Sequence, residues 1–135
     1  MTQNVDRETV VSRLLAADDI LILCHKNPDG DTIGSGTALC LALQQLGKNA
    51  AVLCSDPIPA MYDYMPITVF DGSFSPAFVV AVDVAGIQLF GERNNIRDYA
   101  EHVNLCIDHH GSNSGYAYEL SLIHISEPTR LALIS

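Results

Sequence analysis

The chain is expected to fold as an α/β protein with a mostly parallel sheet and flanking helices. Three observations point there. Short apolar runs recur at residues 20–24, 78–82 and 103–107, and such runs suit strands buried on both faces. Stretches with helical periodicity alternate with them, which implies βαβ units. Each of these runs gives way to polar residues, and in open α/β sheets the ligand crevice lies outside the carboxyl ends of the strands.

Val10, Val11, Leu14 and Leu15 recur at helical spacing and predict an amphipathic helix over about residues 5–17. Residues 20–24, Ile-Leu-Ile-Leu-Cys, form the first buried strand. A polar turn occupies 25–31. From 32 to 46 the pattern is helical and free of proline, with Ile33, Thr37, Leu41 and Leu46 on the repeat and Gly47 placed as a C-cap. Residues 49–54 predict a second strand. Pro57, Pro59 and Pro66 break the next stretch into loop, with one helical turn around 61–64. The run at 78–82 predicts a third strand, 91–100 is partly helical, and 103–107 predicts a further strand. No internal repeat or low-complexity tract is visible.

At 135 residues, with 48% apolar and 17% charged side chains, the chain fits one domain with a genuine core. Sixteen acids against seven bases give a net charge of −9. That argues against binding nucleic acid mainly through a basic surface, and it leaves room for a metal site. No apolar run approaches the roughly 18–20 residues of a membrane span, and the polar start does not read as a signal peptide. Cys24, Cys40, Cys54 and Cys106 each sit in an apolar stretch without a CxxC pair. They are expected to be buried, reduced thiols in a cytoplasmic protein rather than a disulfide framework.

Three polar clusters follow three of the strands. His25, Asp29 and Asp31 share one seven-residue turn in which Pro28 and Gly30 supply turn geometry. Taken alone, its acids could equally cap the following helix. Asp83 ends the third strand, where a lone Asp is often a cap or turn former. Asp108, His109 and His110 follow the strand at 103–107. Gathered at one sheet edge, so many carboxylates would oppose one another's ionisation unless cations lay between them. A pair of divalent ions resolves this, imidazole suiting Zn, Mn, Fe, Co or Ni and carboxylate suiting Mg or Mn.

The segment His25-Lys26-Asn27-Pro28-Asp29-Gly30-Asp31-Thr32-Ile33-Gly34-Ser35 resembles motif I of the DHH phosphoesterase superfamily. Asp83 stands in the place of the motif II aspartate, and Asp108-His109-His110 matches the DHH signature. The resemblance covers about residues 5–119 and is nearest the bacterial oligoribonuclease and 3′-phosphoadenosine-5′-phosphate phosphatase branch. It implies a Rossmann-like DHH domain that is incomplete at its C-terminus. It also implies two Mn2+ ions, with Mg2+ or Co2+ as substitutes. His25 and Asp29 would hold one ion, Asp31 and His109 the other, and Asp83 would bridge them. Asp108 would orient a histidine and His110 would face the substrate phosphate. Gly34, Ser35 and Gly36 would bring free N–H groups at the helix start to that phosphate. The implied activity is two-metal hydrolysis of short oligoribonucleotides, nucleotide phosphates or cyclic-dinucleotide products. The family II manganese pyrophosphatases share the opening motif, and a nucleotide-binding module without turnover is a further alternative. The implied partner is a short RNA or nucleotide phosphate, with no membrane, and a homodimer is compatible with the full-length protein.

The family's fourth-motif aspartate and its C-terminal substrate-binding domain are not found here, so the chain alone is expected to be a fragment with little or no activity. Residues 120–130, Leu-Ser-Leu-Ile-His-Ile-Ser-Glu-Pro-Thr-Arg, resemble a translated sequencing adapter. The expected organisation is therefore a partial DHH domain at 1–119 and a non-native tail at 120–135, poorly packed on a sheet whose last edge is uncovered. The other reading of the tail is a strand at 122–125 followed by a turn.

Overall fold

The computed structural model describes residues 2–28, 30–109 and 112–122, with Asp31 by its backbone alone. Six strands form one sheet: β1 (Gln3–Asn4), β2 (Ile20–Leu23), β3 (Ala50–Leu53), β4 (Phe78–Val82), β5 (Leu105–Asp108) and β6 (Glu119–Leu122). The helices are α1 (Arg7–Ala16), α2 (Gly30–Gln45) and the single turn α3 (Arg97–Ala100), with 3-10 turns at Ala60–Tyr62 and Ile87–Phe90. Every strand pairing is parallel, and the spatial order is β1-β6-β5-β4-β2-β3.

The central strands read as unbroken apolar runs because both of their faces are covered. Ile20 and Ile22 pack on one side with Val10 and Leu14 of α1 and Leu39 and Leu43 of α2. Leu21 and Leu23 pack on the other with Phe90, Ile96 and Ala100. The alternation follows from the two-residue period of a strand. Asp6 caps α1, its carboxylate accepting from the Thr9 N–H at 2.9 Å. Gly47, with φ at +81°, ends α2 as expected. Its N–H donates to the Gln44 carbonyl and the next N–H to that of Leu43, so a left-handed residue closes the helix. All four cysteines are free and buried.

Two strands lie outside the sequence expectations. β1 is two polar residues held by backbone pairing, Gln3 opposite Glu119 and Asn4 opposite Leu120. The edge that was expected to be bare, that of the strand at 103–107, is covered by β6, and β1 pairs with β6 in turn. β6 begins ahead of the expected tail boundary, and residues 120–122 are part of the sheet. Leu120 is 6% exposed and Ser121 1% exposed. The expected poor packing therefore fails for Leu120 and Ser121, whereas Leu122 is paired with β5 but exposed. Pairing with β5, Cys106 opposite Leu120, carries that side chain into the core whatever its origin. Residues 123–135 of the expected tail lie outside the described residues. Among the described residues, no helix is long and apolar enough to cross a membrane.

The chain leaves β2 in one direction to form β3 and returns to the opposite side of β2 for β4, β5 and β6. The switch point thus lies between β2 and β4. Loops leaving adjacent strands in opposite directions open a crevice at their carboxyl ends. His25 follows β2 and Asp83 follows β4 at this edge.

Candidate metal centre

β4 and β5 run in register, Val82 opposite Ile107, which brings the residues after them side by side. Asp83 adopts φ of +61°, a left-handed conformation uncommon outside Gly but tolerated best by Asn and Asp. Its N–H donates to the Ile107 carbonyl at 2.9 Å. Strain of this kind, about 1–3 kcal/mol, persists where the surroundings impose it. Here it turns the carboxylate of Asp83 toward β5. His109 Nδ1 lies 2.9 Å from Asp83 Oδ1. Ligand atoms of Asp83, Asp108 and His109 all fall within 4.8 Å of one another.

Asp108 is fully buried. Its Oδ1 accepts from the His109 N–H at 2.8 Å and its Oδ2 from Asn113 Nδ2 at 2.8 Å. Asn113 was not anticipated. An Asn five residues beyond Asp108 in a polar loop carries no periodic signal, and only the folded loop reveals its partner.

His25 lies one strand away from this trio and is not among its members. Its Nδ1 contacts the carbonyl of Lys26. Its N–H donates to Thr32 Oγ1 at 3.3 Å, and that hydroxyl donates to the Val82 carbonyl at 3.4 Å. Thr32 thereby ties the His25 turn to the strand that ends at Asp83. Asp56 Oδ2 accepts from the N–H of Asn27, itself left-handed at φ +50°, and supports the same turn from β3's side. Asp29 and His110 lie outside the described residues, as does the side chain of Asp31.

Helix α2 starts at Gly30, earlier than the expected residue 32. The helical residues that present free N–H groups at this start are therefore 30–32. Gly34 and Ser35 lie in the second turn, where their N–H groups join the helix ladder, so the expected free N–H groups at 34–36 are displaced by about one turn. Ser35 is buried. Gly36 serves packing: a Cβ there would meet Cys24 Sγ at 3.0 Å.

The donor set suits a cation of hard or intermediate character. Two carboxylates, one wholly buried, and an imidazole converge on one point, and a divalent ion offsets their mutual repulsion. Thiolate is not on offer nearby. Burial pushes the thiols of Cys24 and Cys106 up to about 12. Burial likewise raises the Tyr116 phenol, which stays protonated and donates to the Val84 carbonyl at 2.7 Å.

Residues 19–131 match the DHH family, N-terminal domain. The bifunctional oligoribonuclease and PAP phosphatase NrnA of Thermus thermophilus is 28% identical over 144 residues, covering 94% of this chain and 38% of that protein. An exopolyphosphatase-related protein of Bacteroides fragilis shares the fold with a TM-score of 0.75 at 22% identity, over 94% of this chain and 43% of that one. The chain thus spans less than half the length of either relative.

Proposed function

The chain belongs to the DHH family, and from that premise we propose that it is the catalytic domain of a metal-dependent phosphoesterase acting on short oligoribonucleotides or nucleotide phosphates. The observation that carries this reading is the convergence of Asp83, Asp108 and His109 at the carboxyl edge of the sheet, beside the switch point. The substrate class rests on likeness to the Thermus protein.

In this reading Asp83, with His25 and Asp29 on one side and Asp31 and His109 on the other, would hold two divalent ions, Mn2+ being the expected metal. Bound there, the ions would supply a water nucleophile at neutral pH and neutralise charge on the phosphoryl oxygens. The backbone N–H of Asp83 donates to the Ile107 carbonyl and ties the residue to β5. Asp108, anchored by two donors, shapes the wall behind His109. The start of α2 at residues 30–32 offers N–H groups to a phosphate in the same crevice, with His110 assigned to the substrate side. Turnover by the 135 residues alone is expected to be slight, because one domain gives a substrate a single wall and little positioning.

The test is Mn2+ titration of the chain. It is paired with hydrolysis of a dinucleotide, of 3′-phosphoadenosine 5′-phosphate and of pyrophosphate by a chimera carrying residues 1–122 in place of the matched part of the Thermus relative. Mn2+-dependent dinucleotide hydrolysis that Asp83→Ala abolishes is the expected result. Full activity in excess EDTA refutes the reading, and cleavage of pyrophosphate alone moves the assignment to a pyrophosphatase.

A further inference from the structure

Asn113 joins the two segments that carry the carboxylates. Its Nδ2 donates to Asp108 Oδ2 at 2.8 Å and to the Val84 carbonyl at 3.3 Å. Its Oδ1 accepts from the Gly115 N–H at 2.8 Å. That third bond fixes which end of the amide faces the site, because a backbone N–H can only donate. The amide's two hydrogens are thus shared among the carboxylate on β5, the carbonyl of the residue that follows Asp83 and, at 3.6 Å, Cys106 Sγ. The loop around Asn113 is itself fastened to the same segment. The Ser114 N–H donates to Ala85 at 2.8 Å, and the Tyr116 hydroxyl donates to Val84.

We propose that Asn113 is a positioning residue that sets the separation and orientation of Asp83 and Asp108 for cation binding, an inference that rests on the metal-centre reading above. The left-handed turn at Asp83 leaves its carboxylate direction dependent on where Val84 is held. Asn113 holds Val84 from the same atom that holds Asp108. A ligand's hydrogen-bonded neighbours commonly change metal affinity about 10–100-fold when removed.

A matched comparison is available at the other end of the same strands. Asn104 Oδ1 accepts from the Val79 N–H at 2.8 Å, so it joins β4 to the entry of β5 away from the carboxylates. The experiment measures Mn2+ affinity calorimetrically and melting temperature in EDTA for the 135-residue chain, Asn113→Ala and Asn104→Ala. Both variants should melt lower. Only Asn113→Ala should bind Mn2+ about 10–100-fold more weakly, while Asn104→Ala stays within about twofold. Unchanged Mn2+ affinity in Asn113→Ala overturns this inference alone. Absence of Mn2+ binding by the unaltered chain overturns the metal-centre reading and the inference with it. A second measurement does not depend on a variant folding. In the unaltered chain, the side-chain amide resonance of Asn113 should move during Mg2+ titration, and that of Asn104 should not. A stationary Asn113 resonance at saturating Mg2+ likewise overturns the inference.

Discussion

Asp83→Asn should separate stability from cation binding. Asn keeps the shape of the side chain and tolerates φ of +61° at least as well as Asp. What it removes is one negative charge whose carboxylate lies within 4.8 Å of that of Asp108. At an effective dielectric of 20, two unit charges at that distance repel by about 3 kcal/mol. Loss of the carboxylate contact with His109 Nδ1, 2.9 Å away, offsets part of the gain. In EDTA at pH 8 the variant should therefore melt no lower than the natural chain, with a gain of up to about 2 kcal/mol. A domain of this size gains roughly 3–4 °C per kcal/mol. Mn2+ should reverse the order. At 100 times its dissociation constant, a ligand adds about 2.7 kcal/mol, or roughly 8–11 °C here, and the variant should lose most of that shift. The assay is thermal unfolding by circular dichroism in EDTA and across a Mn2+ series. A variant that melts several degrees below the natural chain in EDTA, or one that keeps the full Mn2+ shift, would refute the electrostatic argument.

Three further outcomes are expected. The thiols of Cys24 and Cys106 have folded pKa values raised to about 12 from an ordinary 9.0. Their contribution is thus complete below pH 9 and lost as pH climbs toward 12, at about 3 kcal/mol per pH unit for the pair. Denaturant midpoints at pH 8, 9.5 and 10.5 measure this, and a flat profile would contradict it. Gly91→Ala forces a side chain onto φ of +84° and sets its Cβ 2.5 Å from Ser55 Oγ. The expected loss is about 2–5 kcal/mol, partly restored by Ser55→Gly, and additive losses in the double variant would count against the clash. Leu120→Ala should cost about 2–5 kcal/mol by urea unfolding, whereas a surface-like change under about 0.5 kcal/mol would place Leu120 outside the core.

Much of the fold was legible because its strands are buried on both faces. Residues 20–23 and 78–82 carry enough apolar character to be read without partners. Gly47 was legible for a local reason, since only a residue at ease with positive φ ends a helix in that way. β1 was not legible, because Gln3 and Asn4 contribute only backbone hydrogen bonds, which leave no trace in side-chain pattern. Residues 120–121 were expected to pack poorly because their sequence resembles something foreign, yet β5 needs a neighbour and Leu120 supplies core. At the candidate site, the strand ends foretold that Asp83, Asp108 and His109 would meet. The positions of Asn113, Asp56 and Thr32 were illegible for the opposite reason. Their work depends on loop conformations that no spacing rule encodes.

The pairing of β1 with β6 has a consequence for the order of events during synthesis. Gln3 sits opposite Glu119, and Arg13 of α1 reaches the Glu119 carboxylate at 2.8 Å. Residues 3 and 4 therefore find their partners only across more than a hundred intervening positions. Strands β2 to β5 can associate while the chain is still growing, whereas the outer seam must wait for residues 119–122. Contacts so distant along the chain slow folding, and until they form, the unpaired edge of β5 is open to other nascent chains. Until residues 119–122 have cleared the ribosome, the outer border of the sheet stays unsewn, whatever the inner strands have already formed.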